Sequence, residues 1–158
     1  MKKYSGLFRY LSSEQKGLIE DSYKLLRLAK RKKIAFTDYS FLVFPAAKSY
    51  EGFLKKLFLG LGIITEDQYK SDHFRIGKAL NPFIEPHLKT ESFYNQICSH
   101  FGVEVTNQLW DSWKKGRDLI FHYFPHRKTC LDISGAEQLL DQLLEVMDKA
   151  VKVSRICK

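Results

Sequence analysis

Apolar side chains recur at three- and four-residue spacing along most of the chain, the period of helices packed on one face. In "SSEQKGLIEDSYKLLRLAKRKK", Leu18, Ile19, Ser22, Leu25, Leu26 and Ala29 keep to one face. Ser12 stands three residues before Gln15, the spacing of a capping box. "TDYSFLVFPAAKSYEGFLKKLFLGLG" predicts a long helix in which Pro45 marks a kink or a late start. Its second half buries Tyr50, Phe53, Leu54, Leu57, Phe58 and Leu61, and Gly60 and Gly62 end it.

The middle is less regular. "TEDQYKSDHFRIGKAL" predicts a short helix, and the two prolines of "NPFIEPHLK" predict a loop or turn. "TESFYNQICSHFG" predicts another short helix ending at Gly102, and "VEVTNQLWDSWKKGRDLIFHYF" a long one stopped by Pro125. "SGAEQLLDQLLEVMDKAVKV" closes the pattern, with Ser134 as N-cap and Leu139, Leu140, Leu143, Met147, Ala150 and Val151 on one face. With no repeat, linker or low-complexity segment, residues 1–158 predict a single all-α domain, a helical bundle of four to six helices.

Composition sharpens this picture in three ways. At 44% hydrophobic and 28% charged, the 158 residues exclude a disordered chain and suffice for one core. The net charge of +8 favours a polyanionic partner, most often nucleic acid. Cys98, Cys130 and Cys157 are odd in number and far apart, which suits free thiols in a reducing compartment. Arg9 interrupts the apolar stretch of "MKKYSGLFRYLSS", making it a poor signal peptide, and "LFLGLGII" is too short to cross a bilayer. The expectation is a cytoplasmic protein with no membrane partner.

The chemistry concentrates in "KKGRDLIFHYFPHR", residues 114–127. At about 100° per residue, Leu109, Trp110, Trp113, Ile120, Phe121 and Phe124 form one stripe, and Arg117 falls in its middle. A buried guanidinium is costly unless paired. Two readings stay open. Arg117 stacks on Trp113 and reaches a carboxylate elsewhere, or the stripe meets a cleft or a second subunit where the arginine waits for a phosphate. Asp118 and His122, four apart, can meet on one face. There a carboxylate fixes the imidazole tautomer and suits it to proton transfer. Asp118 has an alternative partner in Lys114. On an ideal helix Arg117 and His122 are about 140° apart, so their convergence needs either an unwound last turn before Pro125 or two chains sharing a site.

"RDLIFH", at the end of a late helix in a small all-α domain, resembles the R-x4-6-H motif of the HEPN superfamily of ribonucleases. "FPAAKSYEGFLKKLFLGLG" is similar to the corresponding helix of the RNase LS-like HEPN toxins, and the resemblance runs from about residue 10 to 153. Those toxins carry extra N-terminal domains, so the expectation is a stand-alone HEPN-like domain. The resemblance implies a homodimer with two motifs facing across a cleft and metal-independent endoribonuclease activity without a cofactor. The substrate's 2′-hydroxyl attacks the adjacent phosphate, leaving a 2′,3′-cyclic phosphate and a 5′-hydroxyl. It implies His122 as general base or acid, Arg117 as the group that holds the scissile phosphate, and Asp118 as the group that orients His122.

Lys48, Glu51 and Lys55 share the polar face of the second long helix. Similar toxins place a basic residue and a glutamate three apart in the cleft, which Lys48 and Glu51 match. Lys48 would then bind phosphate, and Glu51 would position Arg117 or move a proton. The competing reading pairs Glu51 with Lys55 on the surface. His126 and Arg127 are expected along the substrate path. His122, His126 and Cys130 have a ligand-like spacing, but Pro125 breaks the helix it requires and a fourth ligand is not evident, so no metal is expected. "KLLRLAKRKK" holds six basic residues and no acid, either a solvated helix end or a guide for an RNA backbone. The aromatic residues read as core or dimer interface, and His73, His87 and His100 as structural. The resulting expectation is an RNase toxin of a toxin–antitoxin or antiviral defence system, with an antitoxin as a further partner. A non-catalytic HEPN scaffold or a nucleic-acid-binding adaptor is the alternative.

Overall fold

Ser12 locks the start of the first long helix in both directions. Its Oγ accepts the Gln15 amide at 3.2 Å, and its own amide donates to Gln15 Oε1 at 2.9 Å. The computed structural model, which describes residues 2–33, 35–83, 92–126 and 130–154, thus contains the capping box its sequence predicts. A short helix, Ser5–Tyr10 (α1), leads into this long one, Ser13–Lys32 (α2). Ile19, Ser22, Leu26 and Ala29 are buried along α2, with Leu18 and Leu25 at the edge of the same face.

Pro45 marks a late start. A 3-10 turn, Ser40–Leu42, precedes α3, Phe44–Gly60, and the proline sits in the first helical turn, where its missing N–H has no partner to lose. Tyr50, Phe53, Leu54, Leu57 and Phe58 are fully buried, as their spacing predicts, and Leu61 lies half-buried just past the helix end. The single short helix expected next is two, Glu66–Lys70 (α4) and Ile76–Leu80 (α5), the former started by a Thr65–Gln68 capping box.

The two expected helices meet in α6, Phe93–Trp113. Gly102, at φ 77° and ψ 158°, interrupts the helical geometry at the position where the sequence ends one helix and starts the next, in a backbone conformation that only glycine adopts readily. The α-helix stops at Trp113 and the chain continues as a π turn, Lys114–Asp118, well short of Pro125. The last helix, α7, spans Ile133–Ser154. Its cap is Asp132 and not Ser134. Asp132 Oδ1 accepts the Gly135 amide at 2.6 Å, and the Asp132 carbonyl accepts the Ala136 amide at 3.0 Å. Both residue types cap well, and the earlier one takes the first turn.

Helix α2 packs along α3 and α6 along α7, and α7 also touches α1, α2 and α3. The four long helices therefore enclose one core. Tyr50 crosses it and donates from its hydroxyl to the Leu109 carbonyl at 2.9 Å, while burial pushes that hydroxyl well above its ordinary pKa. The fold is all-α, with seven α-helices and no strand among the described residues. The count exceeds the expected four to six because the short helices α1, α4 and α5 were not separable by pattern.

Candidate functional site

The π turn decides the geometry of the motif. The Leu119 amide donates to the Lys114 carbonyl at 2.8 Å, five residues back. Such a turn widens the helix locally and resets the angular phase of the residues after it. The chain leaves helical geometry beyond Asp118, so the ideal-helix separation of Arg117 and His122 does not apply. Of the two alternatives open from sequence, an unwound last turn before Pro125 is present.

Arg117 is half-buried. Its Nε donates to Glu51 Oε2 at 3.2 Å, across 66 residues of sequence. Its guanidinium carbon lies 5.0 Å from the centre of the Trp113 ring, and Trp113 is itself buried. The arginine thus stacks on Trp113 and reaches a carboxylate elsewhere, the first of the two readings open from sequence. Glu51 takes that partner and not Lys55. Because α3 carries Glu51 and the π turn carries Arg117, the pair ties these two elements at the surface end of the core.

Asp118 serves two neighbours. Lys114 Nζ lies 2.6 Å from its Oδ2, and His122 Nε2 lies 3.8 Å from its Oδ1. The second distance is that of an electrostatic contact, longer than a hydrogen bond. Both pairings drawn from sequence therefore coexist on one carboxylate. The His122 side chain is 59% exposed. Phe124 and His126 follow, with ring centroids 6.3 Å from His122 to Phe124 and 6.1 Å from Phe124 to His126.

The remaining candidates are dispersed. Lys48 is exposed and, with Lys56 and Tyr69, borders a hollow of about 530 Å³. His122 borders a different one, of about 480 Å³. His126 is exposed beside Phe124, and Arg127 lies outside the described residues, as do His87 and Cys157. Among the described residues, no three His, Cys, Asp or Glu side chains stand together so as to hold a metal ion. In the basic run, Lys30 pairs with Glu137 at 2.6 Å, while Arg27, Arg31, Lys32 and Lys33 are exposed.

Sequence reasoning missed Asp38. Its Oδ1 accepts the Ser40 amide at 2.9 Å, the Ser40 hydroxyl at 2.7 Å and the Leu131 amide at 3.0 Å. Burial works to raise this carboxyl, but the bonds from Leu131 and Ser40 outweigh it and hold the group below the ordinary carboxylate value. Asp38 thereby fastens the entry to α3 against the segment that opens α7, on either side of the His122 hollow. An Asp two residues before Ser40 is the mark of an Asx turn, a signal present in "TDYSF".

Comparison of the chain with family models finds no match, and comparisons with curated proteins and with solved structures find none either. The functional reading therefore stands on the residues themselves.

Proposed function

We propose that the protein is a metal-independent endoribonuclease with a HEPN-like fold, acting as a homodimer. The observation that carries this reading is a pair of groups set up by consecutive residues, Arg117 and Asp118, at the end of the π turn. One is a guanidinium held by Glu51 and Trp113; the other is an exposed imidazole facing Asp118. Glu51 engages Nε, and a guanidinium carries further donors at its Nη atoms, in the planar fork that suits a phosphate. An imidazole titrates close to neutral pH, as a proton shuttle must.

In this mechanism His122 of one chain takes the proton of the substrate's 2′-hydroxyl. The oxygen attacks the adjacent phosphorus, the bond to O5′ breaks, and a second imidazole or water gives O5′ its proton. Arg117 stabilises the charge gathering on the phosphate oxygens. Lys48, His126 and Arg127 would contact the flanking strand, and the exposed basic end of α2 would attract its backbone. A second copy would bring a second Arg117–His122 set to the cleft. No described helix is long and apolar enough to cross a membrane, and the proposed setting is the cytoplasm. There, uncontrolled RNA cleavage makes such an enzyme a toxin or a defence effector that needs an antitoxin.

The test is incubation of the purified protein with RNA in EDTA, beside His122→Ala and Arg117→Ala. Cleavage by the wild type alone, with all three proteins equally folded, supports the proposal. Undiminished cleavage by either variant rejects it.

One observation favours a second reading, a non-catalytic scaffold or adaptor. Arg117 already has a carboxylate and an aromatic ring as partners, which is also how a purely structural arginine is satisfied. RNA that stays intact in the same incubation, while still binding the protein, would select this reading.

A further inference from the structure

Several aromatic rings lie on the surface beside His122. Phe41 is 41% exposed, Phe44 57% and Tyr123 90%. Phe44 meets Phe121 edge-on at 5.3 Å, and Phe41 packs on Phe36 at 5.1 Å. Isolated exposed aromatics are ordinary, but a contiguous set around a concavity marks a binding surface. Together Phe41, Phe44, Phe121 and Tyr123 border the hollow of about 480 Å³ that His122 also borders, a volume in the range of small-ligand sites.

The polar part of the wall narrows the choice of ligand. Among the described residues it is made by Asp38, Ser40, His122 and Cys130, and none that borders the hollow is a Lys or Arg. A carboxylate repels a phosphate, so the phosphodiester itself does not belong here. The hydrogen bonds from Ser40 and Leu131 fall on Asp38 Oδ1. An ionised carboxylate offers only acceptor sites, so Asp38 calls for a donor N–H on an otherwise flat, uncharged ring.

We infer that the aromatic hollow beside His122 is a subsite for one unpaired nucleobase carrying an exocyclic amino group, adenine, cytosine or guanine. The inference rests on the ribonuclease reading for the placement of the neighbouring phosphate at His122. Phe44 and Tyr123 supply faces for stacking, which every base accepts. Asp38 supplies the discrimination. Uracil offers it one N–H flanked by two carbonyl oxygens, which repel a carboxylate. A base must be splayed out of a duplex to enter, so the substrate at this point is single-stranded.

The experiment measures binding without cleavage, using fluorescently labelled 2′-deoxy hexanucleotides, which lack the attacking hydroxyl. Deoxyadenosine and deoxycytidine hexamers are expected to bind the wild type more tightly than a deoxyuridine hexamer. Phe44→Ala is expected to weaken the deoxyadenosine hexamer about tenfold, the loss typical of one stacked base, and Phe44→Trp to restore it. Equal affinity for all hexamers, or no loss in Phe44→Ala, overturns the subsite. So does a Phe44→Ala protein that loses self-association while each chain binds the hexamers as before, since the hollow is then a contact between copies. Base-selective binding that depends on Phe44, in a protein that never cleaves RNA, keeps the subsite and rejects the ribonuclease reading alone.

Discussion

Arg117 and Glu51 lie 66 residues apart in sequence and meet at 3.2 Å, with the guanidinium also spread over the Trp113 ring at 5.0 Å. The pair is partly exposed, so its contribution to stability is small, about 1 kcal/mol or less. Its consequence is orientational, because Glu51 fixes which edge of the guanidinium faces outward.

Glu51→Gln should therefore leave the melting temperature nearly unchanged while lowering RNA cleavage by roughly tenfold, about 1.4 kcal/mol of lost transition-state positioning. A double-mutant cycle with Arg117→Lys checks this. Coupled losses show that Glu51 acts through Arg117, whereas strictly additive losses assign Glu51 a separate role.

Gly77 of α5 supports the same arginine from behind. A methyl group there would come within 2.7 Å of Trp113 Nε1. Gly77→Ala must displace the buried indole, and a cost of about 1–3 kcal/mol is expected from overpacking. Chemical or thermal denaturation reads this directly. Full stability in the variant would mean that Trp113 is not confined as described.

Asp38 makes stability depend on acid. Its carboxyl is held below the ordinary value of 3.8 in the folded chain. The stabilisation it contributes is present above that ordinary value and is lost as pH falls through the lower, folded one. Asp38→Asn removes this dependence. Wild type should exceed the variant in stability at neutral pH, and the gap should narrow below about pH 4. Urea denaturation across pH 2.5–7 measures it, and a gap that widens in acid would contradict the assignment.

Much of this was readable from the residues, and the failures have causes. Ser12 and Gln15 announced the start of α2 because a capping box is local and both partners sit within one turn. The stripe of Tyr50, Phe53, Leu54, Leu57 and Phe58 was equally plain, since burial on one helix face imposes its own period. Arg117 drew attention by breaking such a stripe, and its stacking on Trp113 followed from four-residue spacing. Its pairing with Glu51 was foreseen only through the resemblance to HEPN toxins, because no local rule links two distant helices. The π turn at Lys114–Asp118 is not specified by "KKGRD", in which Gly116 weakens a helix without dictating a π turn, so the predicted helix runs on to Pro125. Gly102 is legible as a helix boundary because its positive φ interrupts the helix on either side. Phe41 and Phe44 are exposed, which removes them from the core half of the expectation that aromatic residues form core or dimer interface.

The central claim, that His122 and Arg117 break a ribose-phosphate linkage without a metal, is tested most directly by the termini it leaves. RNA of known sequence, digested in EDTA and resolved by mass spectrometry, should yield fragments ending in 2′,3′-cyclic phosphate followed by fragments starting in 5′-hydroxyl. Neither should form with His122→Ala. Fragments bearing 3′-hydroxyl and 5′-phosphate termini would contradict the account.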